Sequence, residues 1–253
     1  MNAQRVIQGQ MDTALSEVGI DQAKRLGRAI SSSNFTEAYS SDLQRAYITA
    51  KLILDELDAP APVVQKDQRL RERCLGDAEG KTFQNLAERA AAAKVSLSEF
   101  VAPGAETTAE VGRRAGDFFQ CLGDAEGKTF QNLAERAAAA KVSLSEFVAP
   151  GAETTAEVGR RAGDFFQDLI KKHRTSAHVH ILVVSHGKLL NCLLRHLHDS
   201  PHKYQLTNFY PSQAIRSHHN TGMTVIAIAP PSSQCRKYQL NFIKVNDTSH
   251  LHD

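Results

Sequence analysis

Cysteine is scarce and poorly spaced for chemistry: Cys74, Cys121, Cys192 and Cys235 are the four in 253 residues, and none forms a C-x-x-C pair. Cys74 and Cys121 are moreover the same position of a segment that occurs twice. This argues against a disulfide framework or a zinc site and suits a reducing compartment. Net charge is almost absent as well. Thirty basic and 28 acidic residues leave +2 at neutral pH, too weak a field to draw nucleic acid or an anionic membrane surface. Long hydrophobic runs are missing: no stretch approaches the ~20 apolar residues of a membrane span, and residues 1–10 hold no apolar run of signal-peptide length. The expectation is a cytoplasmic protein without membrane span or nucleic-acid partner. Its hydrophobic content of 42% is that of an ordinary globular chain.

What the sequence does contain is a perfect repeat. Residues 74–120 and 121–167 are identical at all 47 positions. Solenoid repeats keep a pattern while single residues drift, and they need three or more units to bury a core. Two exact copies read instead as a recent tandem duplication or a gene-model error. Removing one copy leaves 206 residues, a comfortable single domain. The chain is therefore expected to be one domain over 1–253 with one supernumerary copy. Each copy ends in a helical pattern, 109–120 or 156–167, with Val111, Ala115, Phe118 and Phe119 on one stripe of the first. In a single-copy parent that helix runs on through Asp168, Leu169 and Ile170. Only one copy is expected to occupy the native slot, the other packing poorly on the surface.

The remainder alternates between strand and helix signals. Ala23, Leu26, Gly27 and Ile30 follow i, i+3, i+4, i+7 spacing and place a helix near 21–31. A short strand at 35–39 follows. Ser41 then caps a helix over 42–57, with Leu43, Ala46, Ala50, Ile53 and Leu57 facing inward. Residues 62–65 read as a strand. The continuous apolar run 179–184 reads as a strand covered on both faces, followed by a helix over 188–198 with Leu190, Leu193, Leu194 and Leu197 inside. Late strands fall at 222–228 and 239–245. The alternation predicts an α/β fold, three-layered, with a mostly parallel sheet and helices on both faces. In such folds ligands sit at the carboxyl ends of the strands.

Three segments fall at or near such ends. Ser40-Ser41-Asp42-Leu43-Gln44-Arg45 puts Arg45 in the opening turn of a helix, where free N–H groups and the dipole favour an anion. Its fork suits bidentate phosphate contacts, although a first-turn arginine is more often simply solvated. Leu70-Arg71-Glu72-Arg73 sets a carboxylate between two arginines. That is usually a surface ion-pair cluster, but in a phosphate cleft Glu72 can pass a proton to a leaving alkoxide. Val184-Ser185-His186-Gly187 ends the buried strand on a histidine at the functional edge of the sheet, where capping the next helix is the plainer role. The eleven histidines also raise a metal-binding reading. His196, His198, His202, His218, His219, His250 and His252 lack compact ligand spacing with acidic partners.

Taken in order with Asn2, Val6-Ile7-Gln8-Gly9-Gln10, Leu15-Ser16-Glu17-Val18-Gly19, Pro103-Gly104-Ala105-Glu106-Thr107 and Asn220-Thr221-Gly222-Met223, these segments resemble the histidine phosphatase superfamily, the phosphoglycerate mutase-like enzymes. The resemblance covers nearly the whole chain apart from the extra copy. It implies Arg45 as a phosphate-pocket arginine, Glu72 as the acid/base, and His186 as the histidine that stabilises charge on the transferring phosphoryl group. It implies that Asn2, Gly9, Gln10 and Gly187 line the phosphate site. It further implies a small phosphorylated metabolite as substrate, with fructose 2,6-bisphosphate foremost, and a monomer needing no metal or cofactor.

The family's Arg-His-Gly-Glu motif, whose histidine attacks phosphorus, has no counterpart in the sequence. No Arg-His-Gly occurs anywhere in it. In the family that histidine precedes the asparagine matched by Asn2, on the first central strand. The expectations are a sheet lacking that strand and a chain inactive as written. A non-catalytic phosphate-binding remnant and a phosphoglycerate mutase-like enzyme are the alternatives.

Overall fold

Ser16 sets the first boundary. Its side chain accepts a hydrogen bond from the Gly19 amide at 3.2 Å and caps helix α1, Glu17–Ala29. The helix thus starts ahead of position 21, because a serine oxygen on an orphan N–H outweighs the hydrophobic count at a helix end. The computed structural model of the chain describes residues 6, 8–76, 79–80, 152–176, 178–214 and 218–252. Asn2, the 103–107 motif and the 109–120 helical pattern lie outside these residues.

The chain divides into two compact units, Met1–Met11 with Arg73–Glu157, and Asp12–Glu72 with Val158–Asp253. The second holds two three-stranded sheets. In one, β1 (Glu37–Ser40) lies between β2 (Val64–Lys66) and β3 (Ile181–Val184), all parallel, with Ala38 opposite both Val64 and Leu182. In the other, β6 (Tyr238–Asp247) pairs in parallel with β4 (Tyr204–Thr207) and antiparallel with β5 (Met223–Ala229). The helices are α1, α2 (Gln44–Leu54), α3 (Thr155–Lys172) and α4 (Gly187–His198). The architecture is α/β with parallel strands and helices, as the alternation predicts. Strand β4 and the antiparallel pairing of β5 are additions to it.

The α2 boundary differs from 42–57 for a physical reason. Leu43 holds the cap position without a side-chain bond. Asp12 Oδ1 accepts from the Gln44 amide at 2.7 Å instead, while Ser41 Oγ accepts from the Leu43 amide at 3.3 Å. An oxygen from distant sequence does the capping. Helix α3 runs past the repeat through Asp168, Leu169 and Ile170 to Lys172, because its apolar stripe continues: Phe166 and Ile170 pack with Leu194, Leu197, Tyr204, Leu240 and Phe242. Val158 and Ala162 pack on Leu189 and Cys192 of α4. No helix among the described residues is long and apolar enough to cross a membrane.

In the first unit, residues of both repeat copies meet. Glu79 of the first copy accepts from the amides of Gln10 (2.9 Å) and Leu75 (2.8 Å). Glu153 of the second accepts from the Cys74 amide at 2.8 Å, and its own amide donates to the Cys74 carbonyl at 3.0 Å. The head of one copy is therefore joined to the tail of the other. A capping box between Thr154 and Glu157 opens α3.

Helix α1 packs against α2 through Gly27. A Cβ there would lie 2.7 Å from the Ile53 carbonyl oxygen, a backbone atom that cannot rotate away. Gly27→Val is expected to lower stability by about 1–3 kcal/mol through overpacking, more than its gain in helix propensity returns. Urea unfolding measures this; an unchanged midpoint would contradict the close packing.

Candidate active site

The end of β3 delivers the site. Ser185 follows the strand and its hydroxyl donates to the Leu70 carbonyl at 2.7 Å. His186 then occupies the cap position of α4 with extended backbone (φ −122°, ψ 155°) and makes no capping bond with its side chain. The imidazole is 8% exposed, and its Nε2 has no hydrogen-bond partner among the described residues. Burial, with the charges of Arg45 and Arg161 adding to it and Asp42 opposing, pushes its pKa down to about 3. At neutral pH the ring is uncharged.

Arg45 stands in the first turn of α2, with Nη1 3.5 Å from the Thr13 hydroxyl. Glu72 reaches the same helix start as His186. Its Oε2 accepts from the Lys188 amide at 3.2 Å and its Oε1 from the Leu189 amide at 3.1 Å. A carboxylate thus sits on the positive end of the α4 dipole, satisfying two of its orphan donors. Arg71, beside Glu72, forms a two-pronged pair with Asp42 at 2.8 and 2.6 Å that holds the Asp42 carboxyl below its usual range. Gly187 is the first residue of α4; a Cβ there would make only ordinary contact, 3.5 Å from His218 Cβ.

Arg45, Glu72 and His186 therefore come together in the second unit from three separate stretches of sequence. Gly9 and Gln10 belong to the first unit. Gly9 has φ +48° and a Cβ there would collide with the Glu79 carboxylate, so glycine is required. The Gln10 amide is bound to Glu79, and its side chain lies 3.4 Å from Glu153 Oε2. Sequence reasoning missed Arg161, which lies in the duplicated segment and carries no motif signal, and Asp42 as the partner of Arg71. Among the described residues no group of three or more His, Cys, Asp or Glu side chains is arranged to hold a metal ion.

Two guanidinium charges and a helix dipole favour negative charge. A neutral imidazole with a free ring nitrogen can take up a proton once an anion offsets those charges.

Comparison with known proteins gives the same direction. The family description "Histidine phosphatase superfamily (branch 1)" matches residues 1–122 and again 120–240. The fructose-2,6-bisphosphatase TIGAR of Xenopus tropicalis is 30% identical over 254 residues, covering 100% of this chain and 90% of that protein. The mouse (Mus musculus) protein of that name is 42% identical over 121 residues, 47% of this chain and 45% of its own length. Among solved structures, a phosphoglycerate mutase from Bacillus anthracis superposes with a TM-score of 0.65 at 22% identity, over 99% of this chain and 89% of the other. Bacillus stearothermophilus YhfR superposes at 0.60 with 21% identity, covering 99% and 93%. Sequence match, fold and the meeting of Glu72 and His186 at one helix start agree: the chain belongs to the histidine phosphatase superfamily, branch 1.

Proposed function

We propose that this site binds the phosphoryl group of a small phosphorylated metabolite, with fructose 2,6-bisphosphate as the first candidate. The observation that carries the reading is the buried, neutral His186, its Nε2 without a partner among the described residues, at the start of α4 and under the charges of Arg45 and Arg161. The substrate class follows from the fructose-2,6-bisphosphatases similar to this chain. In this reading Arg45 clamps phosphate oxygens, and His186 donates to the phosphoryl group after taking up a proton. Glu72 handles the proton of the leaving oxygen. Family chemistry runs through a nucleophilic histidine in Arg-His-Gly-Glu. No Arg-His-Gly occurs in these 253 residues, so the reading for these residues taken alone is binding without turnover.

Calorimetric titration with inorganic phosphate and with fructose 2,6-bisphosphate tests it. Binding is expected, accompanied by proton uptake near neutral pH, visible as a heat that depends on buffer ionisation enthalpy. Arg45→Met should weaken it by about tenfold or more, the loss of a charge-assisted hydrogen bond. Absence of binding to the unsubstituted chain at millimolar phosphate would overturn the reading.

A further inference from the structure

The segment that carries Glu72 is fastened residue by residue. Four consecutive carbonyls, of Arg69, Leu70, Arg71 and Glu72, each accept a side-chain hydrogen bond. Arg161 on α3 supplies three of them: Nη1 to Arg69 (2.8 Å) and Arg71 (2.7 Å), and Nη2 to Glu72 (2.9 Å). Ser185, the residue before His186, supplies the fourth at 2.7 Å. None of these carbonyls lies in a strand, so no sheet ladder would hold the segment if Arg161 were lost. The side chains are pinned as well: Arg69 to Asp67 and Asp168, Arg71 to Asp42. At the end of this strap the Glu72 carboxylate meets the Lys188 and Leu189 amides.

We infer that Arg161 is a positioning residue for the site. It fixes the backbone from which Glu72 reaches the start of α4, and the same guanidinium contributes positive charge around His186. The inference rests on the phosphate-site reading above for its functional meaning, but its two structural effects exist without any ligand. A planar fork with several donors in fixed directions suits three carbonyls; a lysine ammonium is a point charge on a flexible stem and cannot hold them together. Geometry and charge can therefore be separated by substitution. The groups acting on His186 are Arg45 from α2, Arg161 from α3 and Asp42 from the turn before α2, with Glu72 at the shared helix start.

The experiment uses the full 253-residue chain, labelled for NMR, as Arg161→Lys and Arg161→Met. Arg114 holds the identical position in the first copy, so each change is also made at both positions together. Protection of the Lys188 and Leu189 amides against hydrogen exchange should fall about tenfold or more in both variants, because both lose the fork. Titrated in a stabilising osmolyte that keeps the chain folded at low pH, the His186 midpoint should rise by about half a pH unit or more in the Met variant and stay near its original value in the Lys variant. A purely structural arginine would lower protection throughout the chain and leave the two variants alike in the imidazole titration. Folded variants with unaltered protection at Lys188 and Leu189, or a midpoint that shifts equally in Lys and Met, would overturn the inference. Should the Met variant fail to fold, the Lys variant still decides through amide protection confined to α4's start. Phosphate titration of the unsubstituted chain is read separately: its failure removes the phosphate reading and leaves the positioning result standing.

Discussion

Offered fructose 2,6-bisphosphate, the 253-residue chain is expected to turn over at least about 10³-fold more slowly than a histidine phosphatase carrying Arg-His-Gly-Glu. The groups described here can gather charge and move protons: Arg45, the first amides of α4, His186 and Glu72. The family's attacking histidine belongs to an Arg-His-Gly-Glu motif, and these 253 residues contain no Arg-His-Gly. His186 is itself buried at 8% exposure beside two guanidinium charges, a setting that stabilises negative charge on a bound phosphoryl group. Glu72, with each oxygen accepting from one backbone amide, keeps lone pairs that can trade a proton with a leaving oxygen. The measurement is a phosphate-release assay paired with acid-labile phosphoprotein trapping. Ordinary turnover together with a trapped phosphohistidine would show that another histidine attacks, and the reading of binding without turnover would be lost.

The second large effect is a pH dependence of stability. His186 is held down to about 3 in the folded chain, against about 6.5 for an exposed histidine. Its pKa is depressed on folding, so the unfolded chain takes up the proton first. Stability is therefore complete above about 6.5 and is lost progressively as pH falls towards 3. By pH 5 this one group removes about 2 kcal/mol. His196, His218 and His250 are also lowered, each chiefly by burial, and act with the same sign. The carboxylates held low by partners, Glu37, Asp42 and Asp247, lose their contribution only below their own ordinary values near 4, so the window from 7 to 5 belongs to the histidines. Urea midpoints across that window should fall, and His186→Gln should fall less steeply. Identical slopes for the two proteins would show that the ring is not held neutral by its surroundings.

The contrast between what local sequence reveals and what it hides is clear in α2 and α4. The bounds of helix α4 were legible to within a residue and its inward face only in part: of Leu190, Leu193, Leu194 and Leu197, Leu194 and Leu197 are buried, while Leu190 and Leu193 are half-buried and Leu189 takes the core position instead. The start of α2 was not legible, because the oxygen that caps Gln44 belongs to Asp12, and no window of neighbouring residues contains it. Strand β4 escaped for a related reason: Tyr204–Thr207 is four residues long and earns its place by pairing with β6, which lies far along the chain. At the site, residue types at strand ends marked Arg45 and His186 as candidates. That the Glu72 carboxylate would reach the Lys188 and Leu189 amides of α4 depends on Arg161, and a guanidinium reading three carbonyls leaves no trace in spacing or composition.

The junction between Cys74 and Glu153 carries a genetic corollary. Glu79, Glu153 and Arg161 each have an identical twin 47 residues away: Glu126, Glu106 and Arg114. A missense change in one copy leaves an intact allele of the same residue elsewhere on the polypeptide. Excising any 47 contiguous residues that begin between 74 and 121 yields one and the same 206-residue chain. Reversion to a single segment thus has many equivalent breakpoints, whereas permanent loss of Glu79, Glu153 or Arg161 from the segment takes two independent events.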